Sequence, residues 1–443
     1  PFVQLLGSQN DMATIRLLVT RYEKLLAGAQ IPWAGETLNL SMMTPHLTSP
    51  DRETRIRAAG KVNEFYESIA GELDEIYDLL VKNRTLQARK LGFETYTPLG
   101  YCRMMRSSYG REEVERFRDQ IKKYWVPFAE KIWDNRRERL GLETLYHLDE
   151  GVSFPQGSPR PQGSPREILE TGRRMYDALS PETSEFFHFM MENELLDVDA
   201  RKNKQVGGYM EYLPEFRAPF IFANFNGTSG DVDVITHECG HAFQGYLIGK
   251  EDPVREHWDI TMETAEIHSM SMEFFTNPWM DWFFGERGKD FLLAQFEDAA
   301  VFIPYGCMVD EFQHIVYDHP ELTPGERKEA WKKLEHEYKP HLIYGEASRF
   351  YENGGFWQRQ HHIYSLPFYY IDYAIAQTAA FWYRIWMEED RQGAWDSYLK
   401  LCRLSASDFF ENMLKEAGLK SPFKEGSIQK LTEKLAELYE KLK

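Results

Sequence analysis

Apolar positions recur at intervals of three and four over most of the chain, which is the period of helices that bury one face. Residues 11 to 145 show it in successive blocks, among them Met12 to Leu26, Asp51 to Lys82 and Glu112 to Leu140, with charges between the apolar positions and Gly or Pro at the breaks. Charge-laced helices of this kind predict scaffold. Between the second and third blocks, Phe93 to Tyr101 followed by Cys102-Arg103-Met104 is rich in aromatic side chains and is read as packing between lobes. The period fails over residues 150 to 166, where Pro155-Gln156-Gly157-Ser158-Pro159-Arg160 is repeated as Pro161-Gln162-Gly163-Ser164-Pro165-Arg166. Units so dense in Pro and Gly exclude a helix or a central strand and predict an exposed loop. Ser164-Pro165-Arg166-Glu167 then has the order of a capping box with proline at the first helical position, which starts the next helix.

From Val206 the texture changes. Gly207 to Leu213 and Phe220 to Phe225, joined across Pro214 to Pro219, predict a two-stranded antiparallel unit, the one sheet expected in the chain. Asn226-Gly227-Thr228-Ser229-Gly230 reads as a turn into a helix with Asp231 and Asp233 in its first turn, where the macrodipole favours negative charge, and a stop at Gly249. A second helical run, Glu263 to Phe275, is closed by Asn277-Pro278. Beyond it the chain is helical again, through Trp331 to Tyr338 and on to a final helix whose Leu431, Leu435, Leu438 and Leu442 form one docking stripe. The pattern predicts a mainly α protein with one small antiparallel β unit, divided into a helical lobe over 1–205 and a second lobe over 206–443.

Composition narrows the partners. A chain of 443 residues that is 42% hydrophobic can bury the core of two lobes. A net charge of −18 argues against nucleic acid or an anionic membrane surface, since both are bound through concentrated positive charge. The cysteines, Cys102, Cys239, Cys307 and Cys402, show no paired spacing, which points to a reducing compartment, read here as cytoplasmic. No secretory signal and no apolar run of membrane-spanning length is apparent, so the sequons at Asn83 and Asn226 are discounted.

Candidate chemistry centres on His237-Glu238-Cys239-Gly240-His241, an H-E-x-x-H run inside a bounded helix. Residues four apart stand one helical turn above each other, so His237 and His241 can offer two imidazoles to one zinc ion. Glu238, one residue round from the first ligand, is placed as general base for a zinc-bound water. Cys239 points away from that face and reads as a small packed side chain. His336 and His341 make a useful contrast: they are five apart with Pro340 between them, so one helical face cannot hold both and the run reads as structural.

A catalytic zinc takes three protein ligands and a water. At about 100° per residue, Glu263, Glu266 and Glu273 share one side of the second helical run, whose remaining residues are Met, Ile, Phe and Ala. Carboxylates on a buried helix need a cation or donors to offset desolvation. Glu266 therefore completes a site of two nitrogens and one oxygen, with Glu263 and Glu273 orienting the ligands from outside.

Together, His237-Glu238-x-x-His241, the twenty-four residues that follow and Glu263-Thr264-Ala265-Glu266-Ile267-His268-Ser269-Met270 resemble the thimet oligopeptidase and oligoendopeptidase F family of zinc peptidases. The likeness is greatest to the bacterial oligoendopeptidase F and Pz-peptidase branch and covers the chain from about Tyr101 onward. It implies two helical lobes around a deep channel that admits short peptides, Zn2+ on His237, His241 and Glu266, and Glu238 as the base. Relatives carry a longer helical region upstream, so a piece before Pro1 is expected.

The resemblance also implies a His followed by spaced tyrosines that stabilise the oxyanion, and Tyr370 and Tyr373 match that spacing within His361 to Tyr373. Counting back from Tyr373 points to His361. An unbroken helical face points to His362, although Pro367 interrupts such a face. The reading is an endopeptidase of short peptides, in which a zinc-bound water attacks the carbonyl while Glu238 takes and returns the proton. A carboxypeptidase of the same ligand type is the alternative, and a helical binding protein with a relict metal site is the non-enzymatic one. The edge of the small β unit could hold an extended peptide as an added strand.

Overall fold

The computed structural model describes residues 9–201, 204 and 207–443; the lobe boundary expected at 205/206 lies outside the described residues. Two compact units are present. The first contains the described residues up to Arg106 with Ile121–Gly157 and Val301–Ile371; the second contains Ser107–Gln120, Ser158–Ala300 and Asp372–Lys443. Helices carry most of both, and sheets are small, as the pattern predicts.

The first unit is built on a helix of 39 residues, Arg52–Lys90. Asp51 caps it by accepting the Thr54 amide at 3.1 Å. The helix outruns its expected end at Lys82 because the buried face continues through Arg84, Thr85 and Ala88. Its neighbours are aromatic: Tyr77 lies 4.6 Å from Trp357, and Tyr364 stacks on Tyr22 at 3.9 Å. Within Glu112 to Leu140 the helix changes pitch, with a π turn at Ile121–Trp125 between Arg111–Gln120 and Val126–Arg139. A hairpin of β1 (Ile31–Trp33) and β2 (Glu36–Leu38) was not expected. Its strands are three residues each, too short for alternation to show in the sequence.

The second unit holds a sheet in the order β3-β5-β4, with β3 at Leu196–Asp199, β4 at Tyr209–Leu213 and β5 at Ala218–Phe225. The expected antiparallel pair is present in the register Met210↔Ile221 and Glu211↔Phe220. The parallel strand β3 is an addition, four residues long and paired with a segment more than twenty residues downstream, which leaves no local signal. Along β5, Ile221, Ala223 and Phe225 are buried. The Ile and Phe side chains contribute about 1.5–3 kcal/mol each on burial.

The repeat at 155–166 is irregular, and Ser164 and Glu167 form the predicted capping box of the helix Pro165–Leu179. In the helix Ser427–Leu442, Leu431, Leu435 and Leu438 are buried and Leu442 is half-buried. All four cysteines are free thiols. One expectation needs correcting: the helical stretch Asp281–Asp318 is long and apolar enough to cross a membrane by length and composition. More than half of its apolar window is buried inside the protein, as in a core helix. Glu297 and Asp298 interrupt the apolar letters and conceal the run.

Candidate active site

The H-E-x-x-H run lies on the helix Gly230–Glu251. The Asp231 carboxylate accepts the amides of Asn226 and Gly227 at 2.9 and 2.8 Å, which closes the turn before the helix. Gly249 is not a stop; the helix continues to Glu251, and the glycine serves close approach. A Cβ there would fall 1.9 Å from Tyr212 Oη, so strand β4 rests directly on the helix. On the inner side, Phe243 meets Phe186 at 5.5 Å and Trp395 at 6.0 Å, and the Tyr176 hydroxyl donates to the Ile235 carbonyl at 2.8 Å.

The carboxylate helix is Met262–Phe275. It crosses the first helix at Gly240, where a Cβ would come within 2.6 Å of the His268 carbonyl oxygen and of Ser269 Cα. That contact sets the distance between Glu266 and the imidazoles. The ligand atoms of His237, His241 and Glu266 lie within 4.8 Å of one another, with the histidines half-buried and Glu266 buried. Glu266 Oε2 stands 3.5 Å from His237 Nε2 and 3.6 Å from His241 Nε2. The rings are 5.1 Å apart and nearly perpendicular, at 84°.

Each of these side chains is held from outside. His237 Nδ1 donates to Glu273 Oε1 at 2.7 Å, and the His241 imidazole donates to the Ala265 carbonyl. The Ser269 hydroxyl donates to Glu266 Oε2 at 3.1 Å. Glu263 is buried one turn before Glu266, while Glu273 is the carboxylate on His237. Glu238 accepts the backbone N–H of Met210 in β4, which ties its carboxylate to the sheet.

The electrostatics fit a cation. Burial opposes protonation of His237, yet the carboxylates of Glu266 and Glu273 hold it well above its ordinary value. His241 is driven by burial down to about 4, so its imidazole is neutral at pH 7. Burial raises Glu238, and Glu266 and Glu273 add to the rise against His237. Asp233 is pushed up to about 8 by burial and then by Glu273 and Asp298. Two imidazoles and one carboxylate, backed by further acids, are a donor set suited to zinc. Asp233 was read only as a first-turn acid, although it precedes His237 by one turn and shares its face. Asp298 carries no motif that could have revealed it.

The first unit holds His361, His362 and Tyr370. His361 is turned to the surface, where Glu23 Oε1 accepts from its Nε2 at 3.0 Å. His362 lies 5.0 Å from the Tyr370 ring, and its Nδ1 accepts from Gln360 Nε2 at 2.9 Å. Gln360 in turn accepts the Tyr305 hydroxyl at 2.8 Å. An acceptor at Nδ1 leaves the proton of a neutral His362 on Nε2. Burial raises the Tyr370 phenol, which stays protonated. Tyr373, in the second unit, is half-buried one turn further along the helix Tyr370–Glu389.

The helix His361–Ser365 ends before Pro367, and Phe368 takes a φ of +68°. That corner is pinned: the Arg106 guanidinium donates to the Phe368 carbonyl, and the Phe368 amide donates to Gln313 Oε1 at 2.8 Å. A Cβ on Gly100 would lie 2.5 Å from the Phe368 ring, and Tyr101 packs edge-on against it at 5.6 Å. The aromatic run around residue 100 therefore supports this corner. His341, read as structural, stacks on Trp133 at 4.8 Å and donates to Glu130 at 2.6 Å.

Residues 174–433, more than half of the chain, match the model of Peptidase family M3. The chain belongs to Peptidase family M3. This membership agrees with the resemblance carried by the two motif helices. Among curated relatives, the chain is 23% identical over 301 residues to the oligoendopeptidase F homolog of Borreliella burgdorferi, covering 66% of this chain and 50% of the relative. It is 22% identical over 409 residues to oligopeptidase PepF of Bacillus subtilis, covering 89% and 59%. The chain thus spans about half to three-fifths of the length of these relatives. Among solved structures, Pz peptidase A with an inhibitor superposes with a TM-score of 0.92 at 45% identity, covering 98% of this chain and 77% of that one.

Proposed function

We propose that the protein is a zinc-dependent metallo-oligopeptidase that hydrolyses internal bonds of short peptides. The observation that carries this reading is the convergence of His237, His241 and Glu266 on one point, with Glu238 next along the helix, in a chain of a peptidase family. His237, His241 and Glu266 would hold the ion. A bound zinc supplies Lewis acidity that makes water a nucleophile near neutral pH.

The remaining work falls to side chains. Glu238, raised by burial and anchored to the Met210 amide, takes the proton from the attacking water and passes it to the leaving amine. Tyr373 and Tyr370 donate to the developing oxyanion, with His362 rather than His361 as the imidazole partner, because His362 packs on Tyr370 and carries its proton on Nε2. Glu263 and Glu273 orient the ligands. We take the second unit, which contains both motif helices of the expected 206–443 lobe, as the one bearing the ion. Within its sheet β4 is a terminal strand, and its outer edge suits an extended peptide added as a further strand. Free thiols suit a reducing compartment such as the cytoplasm.

Digestion of a ladder of internally quenched peptides with blocked ends, with fragments identified by mass, tests the reading. Internal cleavage that requires zinc supports it. Release of single residues from unblocked ends alone would assign a carboxypeptidase instead.

A further inference from the structure

Three deeply placed arginines of the first unit have ion-pair or hydrogen-bond partners within the protein. Arg55 pairs with Asp149 at 2.6 Å and Arg327 with Asp78 at 3.1 Å. Arg84 donates to the Tyr317 hydroxyl at 2.8 Å and to the Tyr364 carbonyl at 2.5 Å. Arg359 differs. It ends the turn Phe356–Arg359 and is exposed, although Phe356, Trp357 and Gln358 before it are buried. Its guanidinium lies 4.7 Å from the centroid of the Phe356 ring. Its polar neighbours include the phenols of Tyr351, Tyr305 and Tyr66. Among the described residues no carboxylate is within ion-pairing distance of it.

A phenol is neutral at pH 7, so these contacts fix the side chain without compensating its charge. The ring of Phe356 meets the guanidinium but does not occupy its planar donor fork, which matches a carboxylate in two-point geometry. The position is informative too. Gln360, the next residue, begins the relay to His362, and Tyr305, which faces Arg359, also lies 5.7 Å from Tyr370. An uncompensated cation therefore stands beside the side chains assigned to the oxyanion. Cation–π contact accounts for the packing of the side chain on Phe356, while the exposed head keeps donors open to a ligand, in a chain of net charge −18.

We propose that Arg359 binds a carboxylate of the peptide substrate, supplied either by its free C-terminus or by an acidic side chain. The proposal rests on the oligopeptidase reading for its choice of ligand. A binding measurement separates the two, because recognition can be read without turnover. A fluorescent peptide is prepared in three forms: free acid without acidic side chains, the corresponding C-terminal amide, and an amide carrying one Glu. Affinity for the full-length protein is measured by anisotropy, and cleavage is followed in parallel.

The free acid should bind roughly tenfold or more tightly than the plain amide. In Arg359→Gln the ratio should fall towards one, and Arg359→Lys, with charge but no fork, should lie between. Tighter binding of the Glu-bearing amide would identify the side chain as the source. Equal affinity for acid and amide in the unaltered protein, or no binding of either, overturns the proposal without recourse to a variant. Acid-selective binding without cleavage would uphold Arg359 and sink the peptidase reading instead.

Discussion

His237 and Glu273 are joined by a 2.7 Å hydrogen bond from Nδ1 to Oε1, which turns the other imidazole nitrogen towards Glu266. Partners that orient a ligand in this way typically contribute 10- to 100-fold to metal affinity. Glu273→Ala should weaken zinc binding by about that factor, measured by competition with a chromophoric chelator. Glu273→Gln, which keeps an acceptor but loses the charge, should fall between. An unchanged affinity would show Glu273 to be a bystander.

Glu238 stands apart from the ligands, so its loss should separate binding of the ion from chemistry. Glu238→Gln keeps the shape and the bond from Met210 but cannot take a proton. Turnover should drop by about two to four orders of magnitude, the usual contribution of a positioned base, while zinc content stays at one per chain. Retained turnover refutes the assigned role.

Gly240 is the middle of the motif and also the crossing point of the two helices. Its hydrogen sits where a methyl group would press on the backbone at His268 and Ser269, and backbone cannot rotate away. Gly240→Ala should cost about 1–3 kcal/mol by urea denaturation, the range for overpacking. It should also weaken zinc binding, because separating the helices draws Glu266 from the histidines. Loss of stability with unchanged metal affinity would mean that the crossing does not set the site.

How much of this was legible depends on the range over which each feature is encoded. The convergence of His237 and His241 on one face is written in local helical spacing, and the burial of Met262–Phe275, with Glu266, follows from its own apolar residues. The choice between His361 and His362 is not local. It depends on the corner at Phe368, whose positive φ is maintained by Arg106, 262 positions away, and by Gln313, 55 away. Strand β3 depends on a parallel partner, and the role of Gly249 on Tyr212. Such features are visible only when distant segments meet.

The corner yields its own test. His362 packs on Tyr370, whereas His361 is paired with Glu23 at the surface. His362→Ala should lower kcat by about a hundredfold, the scale of a lost oxyanion donor, with little change in KM. His361→Ala should stay within about twofold of the parent. Tyr373→Phe should also act on kcat; a change confined to KM would reassign Tyr373 to substrate binding.

Glu335 supplies a pH dependence remote from the metal ligands. It is buried, and burial raises its carboxyl to about 7 even though Tyr344 and Trp331 donate to Oε1, the latter at 2.6 Å. In the unfolded chain the same carboxyl titrates near its ordinary value, about 4.3. Its folded pKa is thus the higher of the two, so its stabilising effect is complete below the unfolded value, declines as pH rises to 7, and is absent beyond. The loss across that window is about 4 kcal/mol, from roughly 1.4 kcal/mol per pH unit. Glu335→Gln keeps an oxygen for both donors and has no proton to lose. Relative to the parent protein, the variant should therefore gain stability between pH 5 and 8, read as a rising difference in urea midpoints. Parallel profiles for the two proteins would show that Glu335 is already ionised in the fold at pH 5.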